Sequence, residues 1–273
     1  MLGLLARGRL IRTGLISGWL LGVAAATPAM AQPELIVPEL DQTAANYKQQ
    51  VTADVDGTLA GVEQLLAALQ TQDVAAARQA WIDARARWER GEVFTDTLFP
   101  DLERRIDGWP DAGKGFHAVE TRLFGPAGEL PMAETQELLD NLRTFRNLFG
   151  KQEFSGHMVM VGLVLAAHEI GESDAKGGES AVSGTSLKDL QHIFDGLVLA
   201  WNTVFADYVM KSTPHLAKDT AAKIDTIRGL LSVQTLDQID PAVLTQQSNM
   251  LAELFTDIAL HIGWRRPIHT ETD

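Results

Sequence analysis

The sequence of 273 residues predicts an all-α fold, an antiparallel bundle of seven or eight helices. Three observations support this prediction. Apolar residues recur every three or four positions along most of the chain, no alternating strand of useful length occurs, and proline and glycine cluster between the periodic segments. Long helices joined by short links pack antiparallel, and this number of helices is compatible with two packed four-helix bundles.

The N-terminal helices are defined by apolar periodicity. A long amphipathic helix is predicted over 39–69, because its apolar residues share one face. Asp73 is a suitable N-cap for a second helix. On this second helix, Trp81 and Trp88 should face a partner helix. The helix should end near Gly91.

Prolines and glycines interrupt the helical pattern over 94–114, so this segment is predicted to be looped or broken. It leads into a short helix that carries His117 and that Gly125-Pro126 should end. A further helix is predicted over 133–149, with Gly150 in the position of a C-terminal cap.

The C-terminal half begins with the most apolar helix, predicted over 156–171 and expected to be buried on most sides. A polar, glycine-rich loop follows at 173–180. Thr185 or Ser186 then caps a helix that runs to about Met210. The last two predicted helices are 216–232 and 241–263, the second with a proline at its start.

The N-terminus has the features of a secretory signal peptide. Three arginines precede an apolar run over 13–26, and a small-x-small pattern ends at Ala31. Residues 1–31 are therefore predicted to be cleaved after Ala31, which leaves 32–273 as the mature helical domain in a Gram-negative periplasm. The apolar run is short for a membrane span, and no second long apolar segment follows, so no span is expected in the mature chain.

Charge and cysteine content narrow the range of partners. The net charge is −13, and residues 1–31 contain three arginines and no acidic residue, so the mature chain would carry −16. Such a surface repels nucleic acid and anionic lipid and attracts cations. The chain has no cysteine, which excludes disulfides and thiolate ligands and leaves oxygen and imidazole as donors for a metal.

The segment Gly115-Phe116-His117-Ala118-Val119-Glu120 suggests a metal site. His117 and Glu120 are three residues apart, so both side chains lie on one helical face, about 5–6 Å apart at Cβ. The same pair is equally compatible with an ordinary hydrogen bond on a helix, and further carboxylates are needed to support a site. The other candidate ligands are Glu89 and Glu92 of the second helix, Asp101 and Asp107 of the broken segment, and Glu169 near the end of the apolar helix.

Four segments in order resemble the imelysin-like family, and in particular its EfeO/EfeM-type periplasmic iron-uptake components. They are Trp81-Ile82-Asp83-Ala84 with Trp88-Glu89, then Phe99 to Asp107, then Gly115 to Glu120, then Gly178 to Gly196. Together they span about residues 40–265, which is nearly the whole predicted mature chain.

The resemblance implies paired four-helix bundles and a metal, with iron as the expected ion, near His117 and Glu120. It implies Glu89 or Glu92 and an acid of the 101–107 segment as further ligands, while zinc, copper and calcium stay open as alternatives. It also implies a membrane iron permease and a periplasmic peroxidase-like protein as partners. Larger relatives carry a cupredoxin domain before the bundle, so this chain is expected to be the short form.

The chain departs from the family pattern in one loop. Val182-Ser183-Gly184-Thr185-Ser186-Leu187 stands where the family has an aromatic residue followed by Ser-His-Thr-Asp-Leu. The histidine and the aspartate are both missing, so two polar or ligand groups of the family pattern are absent from this loop.

Three functions are compatible with these features. Metal capture for an uptake system ranks first, because oxygen donors with one imidazole suit iron. A metallopeptidase ranks lower, because a zinc-protease helix needs a second histidine and an adjacent glutamate, which His117-Ala118-Val119-Glu120-Thr121 lacks. Binding of an acidic, alginate-type polysaccharide would need a bridging cation or a basic patch, and only Arg104, Arg105 and Lys114 form a modest one.

Overall fold

The predicted helices are present in the computed structural model, which describes residues 35–126, 128–175 and 178–267. No β-strand occurs within these residues, so the all-α prediction is confirmed. The predicted signal peptide, 1–31, lies outside the described residues. The helices are, in chain order, α1 (Pro38–Gln70), α2 (Val74–Arg90), α3 (Glu92–Leu98), α4 (Pro100–Asp107), α5 (Gly115–Leu123), α6 (Met132–Lys151), α7 (Gly156–Ala175), α8 (Ser186–Ala200), α9 (Ala206–Ser212), α10 (Pro214–Leu231) and α11 (Pro241–Ile262).

The helices form two rings of four that pack side by side. In the first ring α1 contacts α2 and α6, and the short α5 closes the ring against the same two helices. In the second ring α7, α8, α10 and α11 each contact their two neighbours. The rings meet where α2 packs on α8 and α3 packs on α7 and α8. This arrangement agrees with two packed four-helix bundles, one of which is completed by a helix of only nine residues.

A buried aromatic cluster in the first ring fixes the position of α5. The ring centroids of Trp88 and Phe145 are 5.1 Å apart, and those of Trp81 and Phe116 are 6.3 Å apart. The indole N–H of Trp81 donates a hydrogen bond to the carbonyl oxygen of Phe116 at 3.1 Å. Because Phe116 immediately precedes His117, this contact holds the first turn of α5 against α2 inside the core.

The segment predicted to be broken is built from short helices. It contains α3, α4 and a 3-10 turn at Pro110–Ala112, separated by single residues or short bends. Pro100 occupies the first position of α4, where a missing N–H is harmless. The segment is therefore interrupted, as its prolines and glycines predict, but most of it is helical.

The predicted C-terminal ends of α6 and α7 come too early in the sequence. Gly150 lies inside α6, which continues to Lys151, so it is not the cap. The apolar helix α7 extends to Ala175 and takes in the first part of the predicted loop. The predicted start of α8 agrees with the structure, since Thr185 is its N-cap residue, although the side chain of Thr185 makes no capping hydrogen bond.

A π-helical turn, Trp201–Phe205, joins α8 to α9, so that Ser186–Ser212 is one continuous helical run. By length and composition this run alone among the described residues could cross a membrane. Its apolar side chains include core residues such as Leu197 and Phe205, which are buried in the protein. A buried core helix meets the same criteria of length and composition.

Candidate metal centre

Most of the residues predicted as metal ligands lie at the junction of the two rings, together with further charged residues. Three parts of the fold contribute side chains to this cluster. They are α2, then α4 with α5, and then α8 with the loop before it. The side chains that meet here are Arg85 and Glu89 of α2, Asp107 of α4, His117 and Glu120 of α5, Glu179, Ser180 and Ser183 of the loop, and Asp189 of α8.

Gly115, the first residue of α5, is needed for the close approach of α5 to the end of α4. Gly115 has a φ of +58°, and a Cβ atom there would lie 1.8 Å from the carbonyl oxygen of Ile106. A side chain at this position would force the two helices apart. The close approach places His117 of α5 beside Asp107, the last residue of α4.

Arg85 lies at the centre of the cluster and is almost fully buried. Its Nη2 atom is 2.8 Å from Glu89 Oε1 and 2.9 Å from Glu179 Oε2. Its Nη1 atom pairs with Asp107, and its Nε atom lies 3.2 Å from Asp189 Oδ2. Four carboxylates therefore surround one guanidinium, which leaves the cluster with an excess of acidic groups.

His117 is buried, and its two ring nitrogens have different surroundings. Nδ1 lies 2.9 Å from Oε2 of Glu120. The other oxygen of Glu120 accepts hydrogen bonds from the backbone N–H of Ser183 at 2.7 Å and from its hydroxyl at 2.8 Å. Nε2 points the other way, 3.6 Å from Oδ1 of Asp107 and 3.8 Å from Oε2 of Glu179.

Several buried side-chain atoms of this cluster have no hydrogen-bond partner among the described residues. They include Oε2 of Glu89, Oδ2 of Asp107 and Nε2 of His117. Carboxylate oxygens of Glu89, Glu92 and Asp107 also lie within 4.8 Å of one another. Buried polar groups are normally satisfied, so these unpaired atoms make the cluster a candidate site for a cation.

Burial raises the pKa of several carboxyl groups in the cluster. It raises the pKa of Glu89 well above its usual range, and the charges of Asp107, Asp189 and Glu179 add to the rise while Arg85 opposes it. The pKa values of Asp107 and Asp189 are also raised, with burial as the first cause. One guanidinium does not offset the loss of solvent and the repulsion among these groups.

The pKa values of His117 and Glu120, the pair on α5, shift for different reasons. Burial raises the pKa of a carboxyl group, but the hydrogen bonds from His117 and Ser183 outweigh it and lower the pKa of Glu120. Burial and Arg85 oppose protonation of His117, yet the surrounding carboxylates outweigh them and raise its pKa. Glu120 is therefore held ionised against the imidazole ring.

Comparison with known proteins gives the family. The family model described as imelysin matches residues 43–114 and 111–259, which is more than half of the chain. The chain belongs to the imelysin family.

Individual relatives agree with this assignment. The iron uptake system component EfeO of Yersinia pseudotuberculosis is 27% identical over 223 residues, which are 78% of this chain and 58% of the relative. This imelysin-family chain therefore spans less than two thirds of that relative's length. An EfeM/EfeO family lipoprotein of Staphylococcus aureus is 22% identical over 203 residues, 71% of either chain.

A solved structure shows the same fold. It is that of a protein from Parabacteroides distasonis, provisionally described as an iron-regulated protein A precursor. It matches with a TM-score of 0.57 and 13% identity, over 86% of this chain and 96% of that one. At this identity the likeness concerns the fold alone.

The imelysin-family structure brings together most of the predicted ligands. Glu89, Glu92, Asp107, His117 and Glu120 are all buried. Asp101 lies elsewhere, because its side chain is 90% exposed at the start of α4 and pairs with Arg104. Glu169 is half-buried on α7. The same helix carries His168, whose Nδ1 is 2.9 Å from Oδ1 of Asn249 on α11.

Three charged groups of the cluster are not among the predicted ligands: Arg85, Glu179 and Asp189. The sequence does contain a signal for Arg85. This residue falls between Trp81 and Trp88 on the buried face of α2, four residues before Glu89. A charged side chain on a buried helical face requires a buried partner of opposite charge. For the other two, the sequence gives only their place beside a glycine-rich loop.

Proposed function

We propose that this chain is an extracytoplasmic metal-binding component of an iron-uptake system, which captures the metal ion as cargo at the junction of the two rings. The observation that carries the proposal is the buried excess of carboxylates, in which Oε2 of Glu89, Oδ2 of Asp107 and Nε2 of His117 have no hydrogen-bond partner among the described residues. The Yersinia relative is named an iron uptake component and the Staphylococcus relative a lipoprotein, which supports this role and this location.

The proposed ligands are Nε2 of His117 and carboxylate oxygens of Glu89, Glu92 and Asp107. Glu89 and Asp107 each have an oxygen without a hydrogen bond, and Glu92 lies within reach of both. Glu120 has a different role in this proposal. Its oxygens are engaged by His117 and Ser183, so it orients the imidazole, as carboxylates behind metal-bound histidines commonly do.

The donor set supports iron as the cargo. Carboxylate oxygens with one imidazole suit hard and borderline cations, and the chain offers no thiolate that would favour a softer ion. The net charge of −13 also favours the approach of cations. Zinc, copper and calcium are the competing ions that a binding experiment must include.

The proposed role also includes delivery. In this proposal residues 1–31 direct export to the periplasm, and the mature chain passes iron to a membrane permease, with a peroxidase-like protein as a further partner. The polysaccharide alternative has little support, because Arg104, one of the three residues of the modest basic patch, pairs with Asp101.

Equilibrium dialysis of the purified chain tests the proposal. The chain is dialysed against Fe(II) without oxygen, and against Zn(II), Cu(II) and Ca(II), and bound metal is counted by elemental analysis. One equivalent of iron is expected for the wild type, with strong loss in His117→Ala and Asp107→Asn. Asp101→Asn is the matched control, since it removes an exposed acid of the same helix. Equal binding by His117→Ala, Asp107→Asn and the wild type would refute the site.

A further inference from the structure

We infer that Arg85 is the resident counter-cation of this pocket: its fixed positive charge holds the carboxylates in place before metal enters and limits how tightly the metal is then held. The inference rests on the proposed function and adds a residue that governs affinity and release.

Arg85 and the proposed metal site share the same carboxylates. One oxygen of Glu89 lies 2.8 Å from Nη2 of Arg85, while Oε2 has no hydrogen-bond partner among the described residues. Asp107 is divided in the same way, since Oδ1 pairs with Nη1 and Oδ2 has no such partner. A cation can therefore bind the second oxygen of each carboxylate while Arg85 keeps the first.

Arg85 is held by groups that lie outside the proposed ligand set. Its Nε atom donates to Oγ of Ser180 at 3.0 Å and to Oδ2 of Asp189 at 3.2 Å. The guanidinium carbon lies 5.7 Å from the centroid of the Phe116 ring. These contacts come from the loop, from α8 and from α5, so Arg85 is fixed on three sides and stays in the pocket when a metal ion enters.

The charge of Arg85 has no equivalent nearby. Among the residues that the structure describes, it is the one buried lysine or arginine. Without it, at least four buried carboxylates would lose their fixed positive partner in the absence of metal. With it, an incoming cation meets a like charge across the shared carboxylates, and this repulsion lowers the affinity.

Removing the charge should therefore tighten metal binding. We compare the wild type with Arg85→Gln and Arg85→Lys by Fe(II) titration without oxygen at pH 7.5, and follow release to a colorimetric ferrous chelator. Arg85→Gln should bind about tenfold or more tightly and release iron correspondingly more slowly, because the repulsive charge is gone. Arg85→Lys keeps the charge and should stay within about threefold of the wild type.

A second variant tests the inference in case Arg85→Gln alone does not fold. Arg85→Gln with Asp189→Asn removes one acidic group as well, on the side of Arg85 away from the proposed ligands, and should also bind more tightly than the wild type. Helical content by circular dichroism establishes that each variant is folded. A residue that merely supports the structure would give the opposite sign, because its loss would loosen the ligands and weaken binding.

The outcomes separate the two proposals. If the wild type binds iron and folded glutamine variants bind equally well or more weakly, the inference about Arg85 is wrong and the metal site stands. If the wild type binds none of the metals tested, the proposed function fails, and the inference about Arg85 fails with it.

Discussion

Nδ1 of His117 lies 2.9 Å from Oε2 of Glu120, and this contact decides how the histidine can act. A neutral ring that donates from Nδ1 to a carboxylate has the lone pair of Nε2 free. Nε2 faces Asp107 and Glu179, inside the acidic cluster. In the proposed metal site the two residues therefore have different roles, because Glu120 orients the ring of His117.

Weakening this contact should reduce metal affinity while the ligands themselves stay in place. Glu120→Gln is expected to lower iron affinity about tenfold, and Glu120→Ala about a hundredfold, which is the usual range for a partner behind a metal-bound histidine. Dialysis against Fe(II) measures the change. Glu129→Gln is the control, because it removes an exposed carboxylate that pairs with Arg122 on the protein surface. Unchanged affinity in Glu120→Ala would exclude the orienting role.

A glycine at the junction of the rings should be intolerant of substitution. A Cβ atom at Gly196 of α8 would lie 2.2 Å from the carbonyl oxygen of Arg90 at the end of α2. Gly196→Ala should therefore lower the free energy of unfolding by about 1–3 kcal/mol, as overpacking typically does.

The matched control is Gly229 in α10, where a Cβ atom would meet nothing within 4 Å. Gly229→Ala should raise the free energy of unfolding by about 0.5–1 kcal/mol, because alanine loses less conformational entropy in a helix than glycine does. Urea unfolding followed by circular dichroism measures both variants. Equal effects of the two substitutions would contradict the close packing of α2 on α8.

The hydroxyl group of Tyr47 should lower the stability of the fold. Tyr47 is fully buried, its ring centroid is 5.3 Å from that of Phe94, and its hydroxyl has no hydrogen-bond partner among the described residues. Tyr47→Phe should keep the ring contacts and raise the free energy of unfolding by about 1 kcal/mol, because an unsatisfied buried polar group is removed. Tyr208→Phe, at a half-buried position, serves as the control in the same urea experiment. A loss of stability in Tyr47→Phe would show that the hydroxyl is satisfied.

His192 should make the protein less stable in mild acid. Burial lowers the pKa of His192 below its ordinary value of 6.5, so the unfolded chain takes up this proton at higher pH than the folded chain does. The contribution of His192 to stability is thus fully present above pH 6.5 and falls as the pH drops below that value. His192→Gln removes this term.

The measurement is the free energy of unfolding of the wild type and of His192→Gln at pH 7.5 and pH 5.5. The wild type should lose more stability than the variant between these two values. His215→Gln, at an exposed histidine of α10, should lose as much as the wild type. If His192→Gln shows the same pH dependence as the wild type, the partly buried ring has no part in acid sensitivity.

The helices could be predicted because their determinants are local. The apolar stripe of α1 and the N-cap at Asp73, whose side chain accepts a hydrogen bond from the N–H of Ala76, are visible in short stretches of sequence. Gly150 does not end α6, which continues to Lys151. The ammonium group of Lys48 on α1 donates to the carbonyl oxygens of Gly150 and Gln152 at this end of α6, and such contacts with another helix are not visible in a short stretch of sequence.

Residues that share a helical face could be identified from the sequence alone. His117 with Glu120 and Arg85 with Glu89 are three and four residues apart, so the helical repeat alone brings each pair together. The same repeat separates Asp101 from Asp107 by about two thirds of a turn, and only the second is turned inward.

Which helices pack together, and which hydrogen bonds and ion pairs their side chains make, depends on the packing of the whole core. Glu179 and Asp189 reach Arg85 across more than 90 residues of sequence, through the packing of α2 on α8. Ser183 occupies one oxygen of Glu120 and thereby leaves the other to the imidazole. Distances within a helix follow from its fixed geometry, whereas distances between helices depend on how the whole core packs, which no local pattern encodes.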